Sequence, residues 1–362
     1  MGERKIGWIL TPILMSMGLA GPLSAEEAEP EHVGQPPAAE TERPEVTTLY
    51  EVGGVLTPRN TLRVEPTFEF THTSISRFNV RGFEIVQGAV LIGTIEAFEA
   101  DRDTLTQALT LRYGVTNRLE LDVTVPGVYR DERFVNTIPS QSGSGNPPTI
   151  TSRGLSEYGL GDVEFGAHYQ LNSGAGGWPY VVGNLRVKSD TGVGPFEVER
   201  DSAGIERELP TGSGFWGIGP SVTLISPQGP AVLYGNLGYL VNLPREVNEN
   251  ITSTTRVEHV DPGDSVSVTV GMGLAVTQDL SFNLGWDYAF IFPTETDFGN
   301  VVRRSSDLQV GSVLFGLGYR FSECFGTNLT VSIGATEDAP DFRVNLRLPI
   351  SLRLPDPHGL FD

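Results

Sequence analysis

The chain is short of cysteine, of basic residues and of long apolar runs. Its single cysteine, Cys324, rules out an intrachain disulfide and a cysteine-built zinc site. Lys and Arg number 25 against 45 Asp and Glu, a formal net charge of −20. That balance argues against nucleic acid as a partner, because phosphate binding needs basic patches. Beyond the N-terminus no segment has the ~18 consecutive apolar residues of a transmembrane helix. A membrane barrel stays open, since alternation dilutes the hydropathy of each strand.

The N-terminus reads as an export signal. Arg4 and Lys5 precede an apolar run over residues 6–20, and Ser24-Ala25 is a plausible cleavage point. The run is short for a membrane anchor and is broken by Thr11-Pro12. No cysteine near the cut could carry a lipid. Residues 1–25 are therefore expected to be a cleaved signal peptide. Residues 26–60 form an acidic, proline-rich periplasmic linker with a lead-in at 49–60. The lead-in either stays short or tucks into the mouth of a barrel.

What the chain does have is alternation, together with 43 glycines and 25 prolines for turns. In residues 158–171, YGLGDVEFGAHYQL, apolar Phe165, Ala167, Tyr169 and Leu171 interleave with Asp162, Glu164, His168 and Gln170. Side chains of a strand alternate between its two faces. The same period recurs from Thr61 to about residue 353. Residues 264–276 set Val266, Val268, Val270, Met272 and Leu274 against Ser265, Ser267, Thr269 and Gly271. Connections alternate too: short near 116, 174, 228, 278 and 324, long near 88, 142, 200, 252 and 299. Only the tight connection near 339 departs from this.

Most of these strands exceed the ~9–11 residues that cross a bilayer when tilted. About twelve strands also enclose more room than side chains can fill. The expected fold is all-β: an antiparallel transmembrane β-barrel of about 12 strands over residues 61–354. It has short periplasmic turns, longer extracellular loops and a C-terminal tail at 355–362. One apolar face meets lipid and the other meets water. That places the chain in the outer membrane of a Gram-negative bacterium, reached through the bilayer's assembly machinery.

A family resemblance rests on particular segments. GLGDVEFG at 159–166, NLRVKSDTG at 184–192, YGNLGYLVNL at 234–243 and LRYGVTNRLELDVTVP at 111–126 carry it. With these the chain resembles the MetA-pathway phenol-degradation family of outer-membrane transporters over roughly residues 55–350. The resemblance implies a barrel that passes small, often aromatic or hydrophobic, molecules. It carries over no catalytic or binding residue. Such barrels commonly end on an aromatic; here Phe361 follows PDPHG and precedes Asp362.

The inward positions hold the candidate pore-lining residues. The acids are Glu65, Glu69, Glu120, Asp122, Asp162, Glu164 and Asp287. The bases are Arg63, Arg112, Arg186, Lys188, Arg343 and Arg347, and His168 lies among the acids. Charged linings set solute preference, but opposite charges on one sheet face also brace neighbouring strands. Bracing is the weightier reading, and closure is expected to bring Glu65 and Glu69 near Arg343 and Arg347. As a catalytic base His168 would need a nucleophile such as Ser156 or Ser221, and no hydrolase motif surrounds either. A metal site lacks paired-histidine spacing. Aromatics including Tyr113, Tyr129, Trp178, Trp286, Tyr288, Phe290, Phe292, Tyr319 and Phe321 fit an interfacial girdle. The expectation is thus a non-enzymatic channel without cofactor, its partners a lipid bilayer and a small-molecule solute. The competing class is a plugged interaction barrel whose loops 131–154, 191–211 and 244–261 bind a partner.

Overall fold

The computed structural model describes residues 56–355 apart from 82–83, 87–88, 92–93, 139–148, 175–176, 201–205, 252–254 and 300. The expected signal peptide, most of the linker and Phe361 lie outside the described residues. The described elements are strands: β1 (Thr61–Arg81), β2 (Glu84–Val86), β3 (Ala89–Leu91), β4 (Thr94–Thr116), β5 (Leu119–Ile138), β6 (Thr149–Leu160) and β7 (Glu164–Gln170). Then come β8 (Tyr180–Lys188), β9 (Gly217–Gln228), β10 (Ala231–Asn242), β11 (Arg245–Asn250), β12 (Arg256–Asp261) and β13 (Ser265–Ala275). The rest are β14 (Leu280–Ile291), β15 (Glu295–Asp297), β16 (Val302–Arg304), β17 (Leu308–Arg320), β18 (Gly326–Gly334), β19 (Phe342–Arg347) and β20 (Ile350–Arg353).

These strands close into a twelve-stranded antiparallel barrel. Around the wall run β1, β4, β5, β6 with β7, β8, β9, β10, β13, β14, β17, β18, and β19 with β20. Closure is made by β1 against β19 and β20, with Phe70 opposite Val344 and Val64 opposite Ile350. Closing β1 on β19 and β20 removes the free edge that hydrocarbon would not tolerate. The outward positions are large and apolar yet exposed: Leu121, Phe165, Leu185, Leu224, Leu237, Met272, Leu284 and Leu317 among them. The interior carries the charges. This inverted polarity is what a bilayer outside and water inside would select.

Two strands of the sequence reading are broken in the wall. Residues 158–171 form two pieces. Leu160 pairs with Gly127 and Glu164 with Thr124, so three residues, Gly161 to Val163, stand opposite two. This is a β-bulge. A one-residue slip flips every facing beyond it, and the flip is visible. Tyr158 and Leu160 face out above the break, whereas Phe165 and Tyr169 face out below it. The last strand, read as 341–353, is interrupted at Pro349, which lacks an N–H to donate. There the register against β1 is unchanged.

The long-loop end differs more from expectation. The excursion at 74–102 is mostly strand, because β1 and β4 run on as one hairpin with β2 and β3 beyond it. Thr61–Arg81 has 21 residues, roughly 70 Å at ~3.3 Å per residue, far more than a bilayer needs. The polar loop expected at 131–154 likewise begins and ends as paired strand. The polar stretches 244–261 and 293–306 pair into a separate four-stranded sheet, β11-β12-β15-β16. Phe196, Phe215, Val247, Ile251, Val257 and Val260 build a hydrophobic core there, with Phe298 packed against it. We call this part the cap.

Candidate functional site

The barrel encloses a cavity of about 620 Å³. At ~30 Å³ per water it holds roughly 20 waters. Its lining comes from almost every wall strand, which identifies it as the lumen. Arg63, Arg112, Glu120, His168, Arg186, Asp287, Arg343 and Arg347 all border it. Polar Asn184, Ser221, Thr223 and Asn236 stand among them, and Leu56, Leu240, Ile291 and Val310 add apolar wall.

On one side of the lumen a charge ladder crosses β1, β4, β5 and β7. Glu65 lies 3.8 Å from Arg63 and 3.7 Å from Arg112, and Arg112 lies 3.7 Å from Glu120. Glu120 also accepts the Thr57 N–H at 2.7 Å. Of the expected lead-in at 49–60, the contact concerns the described end, where Leu56 and Thr57 are buried at the mouth on the short-turn side. Asp122 accepts from His168 Nε2 at 2.6 Å, and Asn184 Oδ1 faces His168 Nδ1 at 2.8 Å. Gly166 makes that approach possible, since a Cβ there would sit 2.0 Å from Asp122 Oδ2. Both ring nitrogens thus have a polar partner within hydrogen-bond distance.

The ladder also bears on catalysis and metal binding. Glu120, Asp122 and His168 bring ligand atoms within 4.8 Å of one another. Each is already engaged, however: Glu120 by Thr57 and Arg112, Asp122 and His168 by each other. Neither proposed nucleophile reaches the imidazole. Ser221 Oγ accepts from Asn184 and Asn236 Nδ2. Ser156 shares the face of Tyr158 and Leu160, on the outside of the wall.

Beside the ladder, at the closure seam between β1 and β19, Arg343 Nε lies 3.7 Å from Glu69, which also accepts from Asn345 at 2.9 Å. Closure thus pairs Glu69 with Arg343, while Glu65 turns to Arg63 and Arg112. Arg186 lies 3.7 Å from Glu164. Asp287 and Arg347 border the cavity from β14 and β19.

Asp162 and Lys188 have another job. Asp162 sits in the bulge and is buried, with its carboxylate turned to the loop between β8 and β9. It accepts Gly192 N–H at 3.1 Å, Ser213 N–H at 2.8 Å and Ser213 Oγ–H at 2.6 Å. Lys188 Nζ lies 3.7 Å from the same carboxylate and donates to Ser213 Oγ. Gly192 and Gly212 pack backbone on backbone here, and a Cβ on either would lie 2.6 Å from the other's Cα. Beyond them, Arg245 bridges Glu197 at 2.7 Å and Gly214 O at 3.0 Å and stacks over Phe215. Burial pushes the Glu197 carboxyl up, but the Gly194 N–H and Arg245 outweigh it and hold it below its ordinary range.

One cluster was passed over in the sequence. Arg102 and Glu132 pair at 2.7 Å, both buried. Arg200 and Glu206 pair at 3.0 Å beside them. Burial raises the Glu206 carboxyl to about 7, only partly countered by Arg200. Arg102 and Glu132 follow the inward parity of their strands, so that much was readable. Their partners on the β8–β9 loop were not.

The aromatics Trp178, Tyr129, Trp286, Phe292, Tyr319 and Phe321 are exposed on the outer surface. Successive outward residues pair along a strand, Trp286 with Tyr288 and Phe290 with Phe292.

No family model matches the sequence. Solved structures do. The COG4313 outer membrane channel from Pseudomonas putida F1 superposes with a TM-score of 0.55 at 14% identity, covering 83% of this chain and 98% of that one. A Pseudomonas aeruginosa FadL homologue overlaps with a TM-score of 0.38 at 10% identity, over 84% of this chain and 96% of that one. The Pseudomonas putida toluene transporter TodX gives 0.37 at 9% identity, over 82% and 90%. At such identity the likeness is one of architecture: the chain has the closed-barrel fold of an outer-membrane channel.

Proposed function

We propose that this chain is an outer-membrane channel of Gram-negative bacteria that passes small solutes by diffusion. The observation that carries the reading is the inverted polarity of the wall around a cavity of about 620 Å³ with a largely polar and charged lining. A structural barrel needs no such room, whereas a diffusion path does. The resemblance to the MetA-pathway transporters adds small, aromatic or hydrophobic molecules as the solute class. In this reading residues 1–25 are a cleaved signal, residues 26–60 a periplasmic linker and lead-in, and residues 355–362 a tail. The outer-membrane assembly machinery inserts the barrel. The inward charges, Asp162 and Lys188 apart, line the path.

One observation favours a second reading. Leu56 and Thr57 are buried at the mouth, and the cap has its own core. A plugged barrel whose cap binds a surface partner would look similar at both ends. Single-channel recording of the refolded full-length protein separates the two. The channel reading expects discrete conductance steps and solute uptake by liposomes. A folded barrel that gives neither is the plugged form.

A further inference from the structure

By strand alternation alone the inward charges nearly balance: seven acids, Glu65, Glu69, Glu120, Asp122, Asp162, Glu164 and Asp287, against six bases and His168. Setting aside Asp162 and Lys188, which serve the β8–β9 loop, removes one of each sign. A count would give the lumen no preference. Depth within the wall decides otherwise. Side chains of Glu65, Glu120 and Asp122 are only 6, 4 and 12% exposed. The side chains of Arg186 and Arg343 are 52 and 38% exposed, more than those of their partners Glu164 and Glu69 at 33 and 31%. In each of these pairs the cation is the more exposed partner, by a small margin for Arg63 at 9% and by larger ones for Arg112 at 19% and for Arg186. Five arginines border the cavity, against the carboxylates Glu120 and Asp287.

Arg186 on β8 and Arg343 on β19 are five wall strands apart one way and seven the other. They therefore border the lumen from opposite sides of the wall. Each is held by its glutamate at 3.7 Å, beyond the ~2.7–2.9 Å of a charge-assisted hydrogen bond. An entering carboxylate oxygen can make that shorter bond, and a guanidinium offers two parallel donors to it. Between the arginines the wall offers hydroxyls and amides, whereas Leu240, Ile291 and Val310 offer apolar surface.

We propose that the lumen is anion-selective and that its solute is a small organic carboxylate with an apolar body. The carboxylate passes between Arg186 and Arg343, and the body slides along the apolar patch. This rests on the channel reading and narrows its solute to acids. An acidic protein with a net charge of −20 would otherwise be expected to favour cations.

The test is the reversal potential of the refolded full-length protein in a planar bilayer under a KCl gradient, followed by replacement of chloride with benzoate. The expected result is a chloride-to-potassium permeability ratio above 1 and measurable benzoate current. In R186Q/R343Q the ratio falls by at least about twofold, as removal of pore charge requires. R186K/R343K keeps the ratio above 1 and controls for folding. A wild-type ratio below 1 overturns the inference and leaves the channel reading standing, as does a ratio unchanged in folded R186Q/R343Q. No conductance from a folded barrel removes the channel reading and the inference together.

Discussion

The wall and the cap bury apolar groups in opposite ways. In the wall, Leu237 on β10 is 58% exposed and the polar residues point inward. In the cap, Val260 and Val257 are 0 and 1% exposed and the polar residues point outward. The cap is built like a small soluble domain, its core contributed by three separate connections. The wall is built like a ring with lipid for a core. One chain thus satisfies two solvents, and a substitution should have opposite effects in the two regions.

Phe215→Ala breaks the cap side of that contrast. It deletes a buried ring that stacks edge-on with Phe196 at 6.3 Å. Such truncations cost about 3–5 kcal/mol, here confined to the cap. Limited proteolysis should cut the β11–β12 region faster, while the barrel keeps its heat-modifiable gel migration. Loss of that migration would show that cap and wall fold as one unit. Leu237→Arg tests the wall. On a soluble surface such a change falls within ±0.5 kcal/mol. At a bilayer midplane an outward arginine costs about 2–4 kcal/mol. Denaturant titration of folding into vesicles reads the difference, and a neutral result would place the outer face in water.

The two regions also differ in how far they could be read from sequence. The wall is local: period-two alternation in β13 and β14 fixes which residues face out, and closure then pairs Glu69 with Arg343. The cap is not local. Val247, Ile251, Val257 and Val260 stand singly among polar residues, and none marks a buried strand until Phe196 and Phe215 arrive from another loop. The bulge at 161–163 fell between these cases. Gly161 and Asp162 kept an apparent alternation with Phe165, so the strand looked continuous. What breaks it is a carboxylate drawn to the Gly192 and Ser213 N–H groups, a contact across about 30 to 50 residues.

Asp162→Ala probes that junction between wall and cap. It leaves two backbone N–H groups without their acceptor, a loss of about 1–3 kcal/mol for buried donors. Hydrogen exchange should quicken at Gly192 and Ser213 and stay slow in β7, which is held by β5 and β8. Equal quickening in β7 would mean that the bulge, and not the loop, depends on this carboxylate.

The smallest expected effect is a response to pH where the β8–β9 loop meets the extended hairpin. Glu206 packs against Arg200, with Arg102 and Glu132 beside them, and its carboxyl is raised from 4.5 to about 7. A raised carboxyl means that the folded loop binds a proton more tightly than the unfolded loop. The stabilisation is full below about pH 4.5 and is lost as pH rises through about 7. Cleavage within 191–211, normalised to a peptide substrate at each pH, should therefore accelerate across that interval. Glu206→Gln keeps an acceptor for Arg200 but cannot titrate, so its profile should be flat. A wild-type profile that is flat or falls with pH would mean that Arg200 keeps Glu206 ionised throughout. The loop would then be held by a permanent ion pair, like those along the lumen wall, instead of by a proton.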